Sequence, residues 1–357
     1  HLASLLFAVI RSLEGGALVT VPAPSGTDPR KWRKALQGIA SDRPYLWPNH
    51  RDAIDRGLLD TGVSAAVGFP TGAGKSTVSQ LKIAAHLFAG RKVVFLAPTH
   101  ALVDQTTRDL KDAFPRASVR GERMDEFGFE TGGEELPDVL VMTPEACLTL
   151  THWKPAAFDD VGLLVFDECH LLHEKNDGSR RAIDAMLCLL NFVRTRPQAD
   201  LLLLSAMVKN VGEVAGWLES ITGRPALDLS LDWKPTRQLR GCVVYDAADL
   251  QDLNALLVSE RRKKPKGGVP QGVKRKLKAR PFGFFSVKQT WASIRRDDYA
   301  LLPFLEDDVA LNANPQWQLT PNANELSARL AARAARSGLK TLEFSQSAVN
   351  ANAIADQ

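Results

Sequence analysis

The sequence is poor in the features that would mark several classes of protein. Its four cysteines, Cys147, Cys169, Cys188 and Cys242, are scattered without paired spacing, which excludes a disulfide framework or zinc ribbon and fits reduced, partly buried thiols. Cys169, His170 and His173 form the one sharper metal-binding alternative, and no second Cys/His pair lies at a useful spacing to complete it. No apolar run approaches the ~20 residues of a membrane span. The longest, such as Val161 to Phe166 and Leu201 to Ala206, are far shorter, and the run Leu2 to Ile10 has no basic region before it. These absences point to a cytoplasmic protein with no membrane partner. Acids are missing from one place in particular. Arg261 to Arg280 holds ten of the 45 Lys and Arg residues and none of the 41 Asp and Glu, so the chain is net +4 although everything outside this segment is acidic. With Gly267-Gly268, Pro265 and Pro270, the segment predicts a mobile loop that attracts a polyanion such as nucleic acid.

At 357 residues, 45% hydrophobic and 24% charged, the chain has the composition of an ordinary globular protein and room for two domains. Residues 1–45 read as an N-terminal helical extension: a short helix, a Gly15-Gly16 break, a Pro/Gly/Ser/Thr-rich loop and a second helix from Lys31 to Ile39. From Ser64 onward, short apolar runs alternate with helical segments. The runs are Ala65 to Phe69, Val93 to Ala97, Val139 to Thr143, Leu163 to Asp167 and Leu201 to Ser205. Apolar runs without polar alternation are what parallel strands buried on both faces require. The pattern predicts a doubly wound α/β domain over 46–230, with ligands held beyond the carboxyl ends of its strands. The chain begins at His1 and its last residues, Ala348 to Gln357, read as a helix cut short, so a fragment of a longer protein is expected.

The chemistry is concentrated in Gly68-Phe69-Pro70-Thr71-Gly72-Ala73-Gly74-Lys75-Ser76-Thr77, between the first run and an amphipathic helix. This strand, glycine-rich turn and helix is a P-loop context. Backbone N–H groups from Thr71 to Thr77 close on phosphate oxygens, Lys75 reaches the β- and γ-phosphates, and the Ser76 hydroxyl ligands Mg²⁺. Phe69 is large for a position that usually holds a small residue. After the fourth run come Asp167 and Glu168, which place one carboxylate by the metal and the next where it polarises a water. Asp167 is assigned to the metal with Ser76, and Glu168 to the water. His170 and Ser205 either report the phosphate state to the sheet or are ordinary hydrogen-bonded residues.

In this order the motifs resemble those of superfamily 2 DExH-box helicases. Phe69 to Ser76 matches motif I, Ala97-Pro98-Thr99-His100-Ala101-Leu102-Val103-Asp104-Gln105 motif Ia, and Thr143-Pro144-Glu145-Ala146 motif Ib. Asp167-Glu168-Cys169-His170 matches motif II, and Ser205-Ala206-Met207 stands where motif III is found. Val211 to Leu218, Asp232-Trp233-Lys234-Pro235 and Leu239 to Tyr245 are similar to the crossover in superkiller-type helicases, the branch of RNA-exosome and archaeal-type DNA repair helicases. The resemblance covers about Leu46 to Tyr245, and weakly Lys340 to Ser345 as motif IV. His50 replaces the adenine-reading glutamine, and Met207 replaces the terminal threonine of motif III.

That resemblance implies a RecA-like domain over 46–230, then a linker and the start of a second RecA-like domain over 231–357 carrying a basic insertion at 261–320. It implies ATP and Mg²⁺ as cofactors, with His50 and Thr71 to Thr77 at the nucleotide. Lys75, Asp167, Glu168 and His170 would be catalytic, and Ser205 and Met207 would couple hydrolysis to movement. Pro98, Thr99, His100, Thr143, Pro144 and Glu145 would meet a strand of nucleic acid through its phosphates. The function implied is an ATP-dependent helicase or translocase on single-stranded or partly duplex nucleic acid, DNA rather than RNA, with a protein partner also possible. The competing reading is a nucleic-acid-stimulated ATPase that remodels complexes or moves on duplex without unwinding, as in a bacterial defence system. The chain stops before motifs V and VI, where the family supplies its arginine finger, so weak hydrolysis by these residues alone is expected.

Overall fold

A computed structural model describes residues 2–41, 43–122, 135–172, 180–206, 208, 210–230, 239–264, 267–289, 300–302, 305, 307–343 and 348–355. The chain divides into two compact units, His1–Pro235 and Thr236–Gln357. Among the described residues, no helix is long and apolar enough to cross a membrane.

The first unit opens with α1 (Leu2–Gly16), α2 (Pro29–Ala40) and α3 (Pro48–Asp55). It continues through β1 (Ser64–Val67), α4 (Lys75–Phe88), β2 (Lys92–Leu96), α5 (His100–Ala113), β3 (Val119–Gly121), β4 (Val139–Met142) and α6 (Pro144–Trp153). It ends with β5 (Val161–Phe166), α7 (Arg180–Thr195), β6 (Asp200–Leu204), α8 (Val211–Thr222) and β7 (Ala226–Leu229). The seven strands pair in parallel in the order β3-β4-β2-β5-β6-β1-β7. Successive strand residues point to opposite faces. In β6, Leu201 and Leu203 join the core formed with Ala146 and Cys147 of α6, Cys188 of α7 and Leu218 of α8, while Leu202 and Leu204 join the core with Val78 of α4 and Val103 of α5. This is the doubly wound α/β sheet that the apolar runs predict.

The five predicted strands are the five central ones. The edge strands β3 and β7 escaped sequence reading because β3 is only three residues long with Arg120 exposed in it, and Asp228 interrupts the apolar run of β7. The N-terminal residues form a third layer. Asp28 caps α2 by accepting from the Arg30 N–H at 2.9 Å, with Pro29 at the first helical position. The helix then packs Trp32, Leu36 and Ile39 on Leu81, Ala84 and Ala85 of α4. This contact backs the helix that follows the P-loop.

The second unit contains β8 (Leu239–Tyr245), α9 (Ala247–Lys263), α10 (Gln271–Lys274), β9 (Lys278–Ala279) and β10 (Pro281–Gln289). After these come β11 (Ala300–Leu302), β12 (Val309–Ala310), β13 (Asn312–Ala313), β14 (Leu319–Thr320), α11 (Ala323–Arg336) and α12 (Ala348–Ala355). Its strand pairs among the described residues are antiparallel, the largest sheet running β11-β10-β8. The basic segment 261–280, expected as a mobile loop, instead holds the last turn of α9, all of α10 and β9. Val269, Val273, Leu277 and Ala279 lie among its charges and bury against Leu257, Leu311 and Trp317. Counting charges alone hides such a core, because the apolar positions that build it are few.

Candidate functional site

The P-loop leaves β1, which sits between β6 and β7, and enters α4. The Gly68 N–H donates to Leu229 O at 2.9 Å. A Cβ on Gly68 would lie 2.3 Å from Val211 Cγ2, so α8 permits only glycine there without moving. Phe69 does not crowd the loop, because its ring is buried in the core shared with Val78 and Ala73. Gly74 has φ +80°, in the left-handed region that glycine enters without penalty, and a Cβ on it would lie 2.2 Å from His50 Nε2. It begins α4 with no side-chain cap. The first N–H groups of a helix have no intrahelical acceptor, so this N-terminus is built to meet an anion.

His50 and Asn49 lie behind the loop. Asn49 Nδ2 donates to Ala73 O at 2.7 Å, and His50 Nε2 lies 3.2 Å from the same oxygen. The Trp47 N–H donates to His50 Nδ1 at 3.3 Å, which leaves the proton on Nε2 and makes the ring neutral. Burial lowers its pKa to about 4, against the opposing pull of its contacts with Ala73 and Gly74. The Trp47 indole stacks on the ring at 5.4 Å. His50 is 2% exposed and braces the loop from beneath. Asn49, which shares that task, went unremarked in the sequence because an uncharged amide before a helix carries no signal of a partner 24 residues away.

The two acids follow β5. The Asp167 N–H continues the ladder to Leu96 O at 3.0 Å, and Asp167 Oδ1 accepts from the Glu168 N–H at 2.9 Å. Burial raises the Asp167 carboxyl above its ordinary range, and the neighbouring Glu168 raises it further. Glu168 has φ +53°, rare for a non-glycine residue. Its carboxylate lies between two partners, with Lys75 Nζ 3.7 Å from Oε1 and His170 Nδ1 3.2 Å from Oε2. Ser205 Oγ stands 3.3 Å from the same His170 nitrogen. Lys75, Glu168, His170 and Ser205 therefore form one connected chain across β1, β5 and β6. Met207 and His173 lie outside the described residues. Burial pushes the Cys169 thiol up to about 12, and no group of three or more His, Cys, Asp or Glu among the described residues is placed to hold a metal ion on its own.

Thr99 and Thr143 cap α5 and α6, their hydroxyls accepting from Leu102 N–H and Ala146 N–H, each at 3.3 Å. Thr99 and His100 are exposed and Pro98 half-buried, whereas Thr143 and Pro144 are buried and Glu145 half-buried. Both caps follow strand ends on the edge of the sheet that also carries Lys75 and Asp167.

A second charged cluster, missed in the sequence, lies at the other end of the sheet. Lys82 Nζ donates to Asp60 O at 2.7 Å, Val63 O at 2.8 Å and Asp200 Oδ2 at 3.0 Å. His86 Nε2 is also 3.0 Å from Asp200 Oδ2, and Arg224 Nη1 donates to Oδ1 at 3.0 Å. Burial alone would raise the Asp200 carboxyl, but His86 and Lys82 hold it below its ordinary range. Burial lowers both Lys82 and His86. The only hint in the sequence is a Lys and a His one turn apart on a helix flanked by apolar residues.

The DEAD/DEAH box helicase family matches residues 47–214. The RQC trigger complex helicase SLH1 of Saccharomyces cerevisiae is 31% identical over 175 residues, 45% of this chain and 8% of that protein. The ATP-dependent DNA helicase Hel308 of Pyrococcus abyssi is 28% identical over 201 residues, 55% of this chain and 26% of that protein. The DExH-box ATP-dependent RNA helicase DExH9 of Arabidopsis thaliana is 27% identical over 200 residues, 55% of this chain and 18% of that protein. The chain thus spans about a quarter or less of the length of these relatives. Residues 47–214 thus match a DEAD/DEAH box helicase domain, and the relatives are consistent with the superkiller-type branch.

Proposed function

We propose that the chain is the nucleotide-binding part of a motor that uses ATP hydrolysis to move on a nucleic-acid strand, DNA in preference to RNA. The observation that carries this reading is the Lys75–Glu168–His170–Ser205 chain beside an uncapped helix start. The P-loop backbone and Lys75 would hold the phosphates of ATP, and the Ser76 hydroxyl and Asp167 carboxylate suit a hard divalent cation such as Mg²⁺. That cation would neutralise charge developing on the phosphates. Asp167 fits the role, since one oxygen is already fixed by the Glu168 N–H and its buried negative charge needs compensation.

Glu168 would orient the attacking water and accept its proton. In the present geometry it is held by Lys75 and His170, so Lys75 must exchange this partner for a phosphate before Glu168 is free to act. His170 and Ser205 then sense that exchange, because the Glu168 carboxylate and the Ser205 hydroxyl meet the same ring nitrogen. His50, buried beneath Ala73, would set the shape of the loop, and Met207 would lie beyond Ser205 in the coupling segment. Pro98, Thr99, His100 and Glu145 would face the strand, the buried Thr143 and Pro144 would fix the start of α6 behind them, and α5 and α6 would present backbone N–H groups to phosphates in sequence-independent contact. DNA is favoured by the resemblance to archaeal-type DNA repair helicases, and weak turnover by these residues alone is expected.

The test is ATP turnover with and without single-stranded DNA, single-stranded RNA and duplex, beside a Glu168→Gln control. Stimulation by one single-stranded polymer, lost in the control, supports the reading and names the substrate. Turnover that no polymer raises, in the longest form of the protein, would replace it with a partner-activated ATPase.

A further inference from the structure

The second unit carries a surface that the ATP chemistry does not use. After a turn at Arg275 and Lys276, the backbone from Lys278 to Gly283 is extended or nearly so, and burial alternates residue by residue from Lys276. Leu277, Ala279, Pro281 and Gly283 are buried, while Lys276, Lys278, Arg280 and Phe282 are exposed. Period-2 alternation puts Lys278 and Arg280 on one face, about 6.6 Å apart, and Phe282 follows at a register shift between Pro281 and Gly283 in the β10–β8 pair. Phe282 is 63% exposed, and its ring makes no aromatic or cation contact among the described residues.

Beside this line, Lys274, Arg275 and Lys278 line an open cleft with the neutral amides of Gln271 and Asn312. Among the described residues the side chains of Lys274, Arg275, Lys278 and Arg280 make no ion pair. The nearby acids among the described residues are engaged elsewhere or stand apart: Glu260 pairs with Lys263 at 2.6 Å and also feels Lys276, and Asp307 pairs with Arg329 at 3.9 Å. Asp308, next to the Val309–Ala279 pair in the ladder, forms no ion pair with Arg280. A row of unpaired cations ending in an exposed aromatic ring is the arrangement that binds single-stranded nucleic acid. The cations follow the phosphates and the ring takes a base that has no Watson–Crick partner.

Resting on the reading of the chain as a nucleic-acid motor, we infer that Lys274, Arg275, Lys278, Arg280 and Phe282 form a second strand-binding strip. It holds the backbone of a single strand by charge and one base by stacking on Phe282. It is separate in the chain from motifs Ia and Ib and needs no nucleotide.

The experiment is fluorescence anisotropy of a labelled single-stranded oligonucleotide, titrated with the whole 357-residue chain without ATP across a salt series. Replacing Lys274, Lys278 and Arg280 together by Gln is expected to flatten the log-affinity against log-salt slope by about 2, at roughly 0.7 per lost phosphate contact on a single strand. Phe282→Ala should weaken binding roughly 5- to 150-fold with the slope unchanged, and Phe282→Trp should restore it. Binding to a blunt duplex of the same sequence should not respond to Phe282. An unchanged slope in the triple variant, an unchanged affinity in Phe282→Ala, or equal competition by poly-glutamate would each overturn the strip. If wild type binds oligonucleotides and is stimulated by them while these variants behave as wild type, only the strip falls. If wild type binds none, the motor reading falls with it.

Discussion

Helix α4 carries two lysines with opposite surroundings. Lys75, at its start, is 16% exposed and has, among the described residues, a single acidic partner at 3.7 Å. Lys82, farther along the same helix, has no exposed side-chain surface and three oxygen acceptors within 3.0 Å. An ammonium group that must let go of one partner and take another has to be loosely held. One that joins a helix to a strand across the interior must have its hydrogen-bonding capacity met, because an unpaired buried charge is costly. On the proposed function, the same residue type would mark a moving part at one end of the sheet and a fixed joint at the other.

Substitutions can break this contrast. Lys82→Ala leaves Asp200 buried beside fewer cations and should cost about 3–5 kcal/mol of stability, read by urea unfolding. A loss below about 1 kcal/mol would show that the joint is not fixed. Lys75→Ala should do the reverse. Turnover stimulated by nucleic acid should drop on the order of 10²–10³-fold while the urea midpoint stays within about 0.5 kcal/mol of wild type. A large shift in that midpoint would make Lys75 structural too.

The brace under the loop gives a pH test of comparable size. His50 has its folded pKa depressed to about 4 from 6.5, so the neutral ring is what the fold requires. Its contribution is complete above pH 6.5 and is lost as the pH falls toward 4, because the unfolded chain binds the proton more tightly across that window. His50→Gln should remove about 3 kcal/mol of the stability difference between pH 7 and pH 4, measured by unfolding at both. The smallest effect belongs to the helix caps. Thr99→Ala should cost about 1 kcal/mol, and Thr99→Ser much less.

Much of this was legible in the sequence, for a physical reason. Uninterrupted apolar runs have few uses other than strands covered on both faces, so β1, β2, β4, β5 and β6 stood out, while β3 and β7 at the edges did not. Lys75, Asp167, Glu168, His170 and Ser205 were singled out by residue type and chain order, and the structure brings them to one end of the sheet. The contacts that were missed join residues distant in the chain. Lys82 and Asp200 are 118 residues apart, and nothing in either segment alone announces the other. The segment 261–280 was misjudged for the opposite reason, since its charges are conspicuous and the four apolar residues that fold it are not.

The backbone of Glu168 sets a trap for anyone wishing to make this protein hardier. A glycine would relax its left-handed conformation and raise stability by on the order of 1 kcal/mol, at the price of the carboxylate to which the proposed function gives the attacking water. If the proposed role of Glu168 is right, selection for heat resistance alone would therefore favour an inactive protein. A screen for hardier variants must score turnover alongside melting temperature, or it will enrich for the loss of function.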